Sequence, residues 1–101
     1  MPKLIYSKII ECKSSNITIP NIQEFKYLFI TFSDRDYLKP HTEFACSAST
    51  IIPIIASDYT KCRTHIKMIG SDSVDIAILN PTTIYAASSS GVWITSIYGL
   101  Y

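Results

Sequence analysis

A chain of 101 residues has room for one domain, and the sequence predicts a single domain over residues 1–101. A net charge of +1 gives no field that would attract nucleic acid, and the longest apolar run, residues 51–56, is too short to insert into a membrane. Charged residues make up only 17% of the chain, against a usual value of ~25%, so we expect other chains to cover part of the surface.

The first half of the chain has the composition of strands. Ile, Ser, Thr, Tyr and Phe are frequent, and no segment repeats its apolar residues every 3.6 positions. Strands are predicted at residues 4–12, 17–19, 25–32, 44–49 and 51–55, the last of them kinked or at an edge because it contains Pro53. Residues 33–43 are predicted to form a long polar loop.

Residues 60–69 alternate between two kinds of side chain and predict a half-exposed strand. One face carries Cys62, Thr64, Ile66 and Met68, and the opposite face carries Lys61, Arg63, His65 and Lys67. We call the second set the basic face. It is a candidate site for an anionic polymer such as a phosphate-bearing wall glycan. The alternative is a solvated strand edge, where positive side chains prevent edge-to-edge aggregation.

The second half continues with strands at residues 74–80, 83–87 and 92–98, separated by a turn at residues 70–73 and a break at Asn80-Pro81. Short strands at intervals of roughly ten residues are typical of sandwiches and jelly rolls. The sequence therefore predicts an all-β fold: an antiparallel, jelly-roll-like β-sandwich of about eight short strands.

Two of the predicted strands are apolar on both faces, residues 25–32 and residues 92–98. In a two-layer sandwich the second sheet covers only one face, so a loop or another subunit is expected to cover the other. In the last strand, the alternation places Trp93 and Ile97 on one face and Tyr98 on the opposite face. The predicted oligomer interface, or the core beneath it, uses Trp93, Ile97, Tyr98 and Tyr101.

No residue pattern predicts catalysis or metal binding. Cys12, Cys46 and Cys62 are odd in number and far apart, which fits neither a disulfide framework nor a zinc site, and we expect reduced, buried thiols. His41 and His65 stand outside any hydrolase or metalloprotease motif. The sequence therefore predicts no catalytic residue, no metal ligand and no cofactor.

The ending VWITSIYGLY, residues 92–101, resembles the last strand of many tail-fibre and minor structural proteins of bacteriophages and prophages. Residues 17–33, 49–55 and 72–84 resemble other segments of the same module. The resemblance implies a small β-sandwich near the distal end of a fibre, commonly trimeric about the fibre axis and involved in host recognition. It carries over no functional residue, because the family has no fixed binding motif.

Three alternative functions, each from a different class, account for these features. The leading expectation is a non-enzymatic virion protein, made in the bacterial cytoplasm, that forms a homotrimer, contacts other virion proteins and meets a host cell-surface glycan. The second is a carbohydrate-binding module that works with an enzyme. The third is a small hydrolase that depends on His41 or His65.

Overall fold

The computed structural model describes residues 2–34, 48–68, 73–88 and 91–101. These residues form nine strands and two short 3₁₀ turns, Ile22–Glu24 and Tyr59–Lys61, so the predicted all-β fold is confirmed. The strands are β1 (Lys3–Tyr6), β2 (Ile10–Glu11), β3 (Ser15–Thr18), β4 (Tyr27–Asp34), β5 (Ala48–Pro53), β6 (Arg63–Lys67), β7 (Ser73–Asn80), β8 (Thr83–Ser88) and β9 (Val92–Leu100).

The strands form two antiparallel sheets. The five-stranded sheet has the order β1-β9-β4-β5, with β2 also paired to β9, and the four-stranded sheet has the order β3-β8-β7-β6. The first strand thus pairs with the last in one sheet, and β3 pairs with β8 in the other. This exchange of the chain between sheets is jelly-roll-like, and it places β9 and β4 at the centre of the five-stranded sheet.

The core lies between the two sheets and follows from the alternation of apolar residues along each strand. In β4, the inward-facing Leu28, Ile30 and Phe32 are completely buried. In the other sheet, β7 contributes a matching inward set of Val74, Ile76 and Ile78. The inner faces are therefore mainly aliphatic, and the aromatic Phe32 is among the largest fully buried side chains.

Four predicted strands are divided, joined or shortened in the structure. The strand predicted at residues 4–12 is divided into β1 and β2, and the break faces the part of β9 where the register shifts. The described part of residues 44–55 is one strand, β5, rather than two. The strand predicted at residues 60–69 begins later, because Asp58 accepts a hydrogen bond from the Thr60 backbone N–H and caps a 3₁₀ turn.

A β-bulge in β9 changes which side chains face the core. Phe32 of β4 lies opposite Ile94, but the preceding residue, Thr31, lies opposite Ser96, so Thr95 is an extra residue in β9. The Thr31 hydroxyl oxygen lies 2.7 Å from that of Thr95 and 2.5 Å from that of Ser96. Beyond the bulge, the inward and outward positions are exchanged relative to a regular strand.

The bulge corrects the predicted faces of the last strand. Ile97 lies opposite Ile30 and is completely buried in the core, whereas Tyr98 lies opposite Phe29 on the outer face. The prediction that Trp93 and Ile97 share a face is therefore wrong, because a strict period of two ignores the extra residue. Trp93, before the bulge, lies opposite Ser33.

Two of the three cysteines lie within the described residues, and both Cys12 and Cys62 are free and buried, as predicted. Cys46 lies outside the described residues. Removal from water raises the pKa of the Cys12 thiol from 9.0 to about 12; a hydrogen bond from the Ile94 backbone opposes this shift, and the nearby Glu11 carboxylate adds to it.

We expect this buried thiol to make stability depend on pH in alkaline solution. The unfolded chain releases the Cys12 proton near pH 9 and the folded chain only near pH 12, so the stabilisation is complete below pH 9 and is lost as the pH rises toward 12. Urea unfolding across this range should show a slope contribution of up to about 1.4 kcal/mol per pH unit. A Cys12→Ala variant should lack it, and identical slopes in the two proteins would contradict the prediction.

Candidate binding surfaces

Three members of the basic face, Arg63, His65 and Lys67, lie on the outside of the four-stranded sheet, and the fourth precedes the strand. Lys61 belongs to a 3₁₀ turn, and its Nζ atom lies 4.0 Å from an Asp58 carboxylate oxygen. His65 Nδ1 lies 2.6 Å from Asp75 Oδ1 on the neighbouring strand. Arg63 and Lys67 take part in no ion pair among the described residues.

Two carboxylates therefore interrupt the basic face, which the sequence presented as a continuous row of cations. Asp75 lies directly opposite His65 because β6 and β7 pair in that register. Asp58 is held near Lys61 by the 3₁₀ turn that it caps. The unpaired positive charge is concentrated at Arg63 and Lys67, on either side of His65. That the basic face binds an anion stays a prediction.

A concavity of about 460 Å³ lies on the same surface. Ala77 and Ala87 provide short side chains on β7 and β8, and larger side chains surround them on three strands. We call this concavity the groove, and the side chains that line it include Arg63, His65, Asp75, Ala77, Tyr85 and Ala87. A second concavity of about 190 Å³ shares Arg63 and Ala77 with the first. The groove is not evident from the sequence, because strand register brings Tyr85 and the two alanines beside Arg63.

The opposite surface, the outside of the five-stranded sheet, carries a row of apolar side chains. Leu4, Tyr98, Phe29 and Ile51 lie side by side on four neighbouring strands, β1, β9, β4 and β5. We call these four residues the apolar row. Its Phe29 and Tyr98 rings have centroids 6.1 Å apart and are tilted by 40°. The ends of the row are open, since Leu4 is 42% and Ile51 55% exposed.

The four residues predicted to form an interface lie in three places. Trp93 and Tyr98 are half-buried on the outer face, and Ile97 is in the core. Tyr101 is 60% exposed, and its ring lies 5.0 Å from that of Phe25, between centroids. Leu4 and Ile51 were missing from the predicted set. That these residues form an interface stays a prediction.

The described residues contain no group of three or more His, Cys, Asp and Glu side chains arranged to hold a metal ion. His65 pairs with Asp75, and His41 lies outside the described residues. Within the same residues, no helix has the length and apolar character needed to cross a membrane. No protein-family model, curated protein or solved structure matches the chain.

Proposed function

We propose that this chain is a non-enzymatic structural protein of a bacteriophage or prophage virion. It assembles as a homotrimer and acts, with other virion proteins, in attachment to the host surface or in particle assembly. Its place is the virion, after synthesis in the bacterial cytoplasm, and it uses no cofactor. The resemblance of residues 92–101 to the ends of tail-fibre proteins is the starting point of this proposal.

Three of the four segments that carry the resemblance become neighbours in the fold, whereas the fourth, residues 72–84, contains β7 of the other sheet. Residues 92–101 contain β9, residues 17–33 contain most of β4, and residues 49–55 contain most of β5. These three strands are consecutive in the five-stranded sheet. Segments far apart in the sequence therefore build one surface, which supports a common role for them.

The apolar row is the observation that carries the proposal of assembly. Ile51 and Leu4 are large aliphatic side chains with about half of their surface in water, and Phe29 and Tyr98 lie between them. An apolar patch that extends across four strands is typical of a surface that contacts another chain. The trimer, rather than another number of copies, follows from the resemblance to fibre modules.

Light scattering combined with size-exclusion chromatography tests the assembly. We expect the parent protein to have three times the chain mass of 11.4 kDa. Ile51→Lys places a charge in the apolar row and should yield a folded monomer, because burying an unpaired charge in an interface is costly. Leu79→Lys is the matched control, since Leu79 is 46% exposed and belongs to the other sheet. A monomeric parent, or an unchanged trimer in Ile51→Lys, would remove this argument.

The virion role has a separate test. Particles purified on a density gradient from the strain that encodes the protein should contain its peptides in mass spectrometry. A protein present in the cell extract but missing from such particles would contradict the proposal. If the protein is missing from particles, is monomeric and binds an oligosaccharide, the result would instead favour a carbohydrate-binding module that works with an enzyme.

A further inference from the structure

The groove on the four-stranded sheet has a shape that is fixed by strand register. Arg63, Ala77 and Tyr85 are direct partners across β6, β7 and β8. The strands that carry Arg63 and Tyr85 are two steps apart, about 9–10 Å. Ala77 lies between them with only a methyl group, so a space remains between a guanidinium group and a phenol ring.

The next row across the same strands adds polar groups. His65, Asp75 and Ala87 are direct partners, and Ala87 again leaves space beside longer side chains. The His65–Asp75 pair is exposed, with 61% and 63% of the two side chains in water. Its carboxylate can accept hydrogen bonds from hydroxyl groups, and its imidazole can donate one.

The mixture of charges argues against a polyanion. A chain of phosphates along β6 would pass Arg63 and Lys67, but it would also meet Asp75 and, near Lys61, Asp58. Like charges at such distances repel each other. A ligand with one anionic group and several hydroxyls avoids this repulsion, because its hydroxyls can face the carboxylates while the anion faces Arg63.

We propose that this groove binds a carboxylate-bearing sugar residue of a glycan. Arg63 holds the carboxylate with its planar pair of N–H groups, a geometry that suits carboxylates. Tyr85 packs against the apolar face of the sugar ring, and the His65–Asp75 pair binds its hydroxyls. This inference rests on the proposed host-surface role and names the class of glycan that the protein recognises.

The second concavity extends the ligand beyond one sugar. Tyr59, Thr60 and Leu79 line it together with Arg63 and Ala77. Arg63 therefore stands between the two concavities. An oligosaccharide that lies along β7 can place its acidic sugar over Ala77 and a neighbouring sugar beside Leu79.

The test uses a glycan array of uronate- and sialate-containing oligosaccharides, each printed beside its carboxyl-reduced form, in which the carboxylate is converted to an alcohol. Poly(glycerol phosphate) is printed as a phosphate polymer. We expect binding to carboxylated members, at least tenfold weaker binding to their reduced forms, and weaker binding in higher salt. Binding to no carboxylated member, equal binding to the reduced forms, or tighter binding to the phosphate polymer would overturn the proposal.

Variants then assign the binding to the groove. Loss of a charged hydrogen-bond partner in Arg63→Gln should weaken binding roughly 10- to 100-fold. Tyr85→Ala should weaken it roughly 2- to 10-fold, because a ring contact contributes less. Lys13→Gln is the control, since Lys13 is exposed, lines neither concavity and lies 3.6 Å from a carboxylate oxygen of Glu11. Full binding by Arg63→Gln, or equal loss in Lys13→Gln, would show that the groove is not the site.

The two proposals can fail separately. Particle association and solution mass do not involve the groove, so they test the virion role without any glycan. A particle-associated trimer that ignores carboxylated glycans would retain the proposed function and lose this inference. A monomer that binds them through Arg63 would retain the groove and lose the virion role.

Discussion

Deletion of residues 97–101 is expected to give a chain that does not fold. Although these are the last five residues, they form the end of a central strand rather than a tail. Ile97 and Tyr98 pair with β1 on one side and with β4 on the other. The deletion therefore removes backbone pairing from two neighbours and leaves the edges of both strands open.

The expected energetic loss is comparable with the whole stability of the domain. Full burial of a side chain such as that of Ile97 stabilises by about 1.5–3 kcal/mol. The deletion also exposes Leu28, which lies opposite residue 99, and Ile30, which lies opposite residue 97. A domain of this kind is stable by only about 5–15 kcal/mol. Loss of several such contacts together with the ladder hydrogen bonds should shift the equilibrium to the unfolded state.

Far-UV circular dichroism and thermal melting measure this outcome, and deletion of Tyr101 alone is the control. Tyr101 is 60% exposed and follows the last residue of β9, so the shorter deletion should leave a cooperative unfolding transition. A folded protein with residues 97–101 absent, with the same spectrum and a similar melting temperature, would show that this part of β9 is dispensable.

The outcome at β9 shows how far the alternation of residues can predict a strand. Alternation places Val92, Ile94 and Tyr98 on one face; Val92 and Ile94 are buried in the core, but beyond the bulge Ile97 rather than Tyr98 faces inward. A bulge adds one residue to one strand of a pair, and its position depends on the partner strand. Thr31, Thr95 and Ser96 make hydroxyl contacts there, but Ser and Thr are frequent throughout this chain and gave no local signal.

The residues of the groove could be predicted from the sequence only in part. Alternation correctly placed Arg63 and His65 on an exposed face of β6. It could not supply Asp75 or Tyr85, because neighbours on other strands are set by register between strands. Outward-facing alanines at 77 and 87 were the part of the sequence that favoured a hollow, since small side chains on adjacent strands leave space between longer ones.

Gly99→Ala is expected to destabilise the protein by about 1–3 kcal/mol or more, the usual range for overpacking. A Cβ atom at position 99 would lie 2.5 Å from three ring atoms of Phe25, which is 4% exposed. The ring is held from two sides, by the 3₁₀ turn that it follows and by the Tyr101 ring. It cannot move away without disturbing those contacts.

The sign of the change in the free energy of unfolding distinguishes a clash with Phe25 from an effect of backbone entropy alone. Glycine in a strand is normally destabilising by about 0.5–1 kcal/mol relative to alanine, so backbone entropy alone predicts that Gly99→Ala stabilises the protein. Urea unfolding should instead give a lower free energy of unfolding. A variant as stable as the parent would contradict the expected clash.

A double-mutant cycle with Phe25→Ala identifies the cause. Removal of the ring alone should cost about 3–5 kcal/mol, because it leaves a cavity above β9. In that background Gly99→Ala should cost little or should stabilise, since the added methyl enters space that the ring has left. The coupling free energy should lie within about 0.5–3 kcal/mol, the range for residues in contact. Additive costs would mean that Gly99 is needed for a reason other than the approach of Phe25.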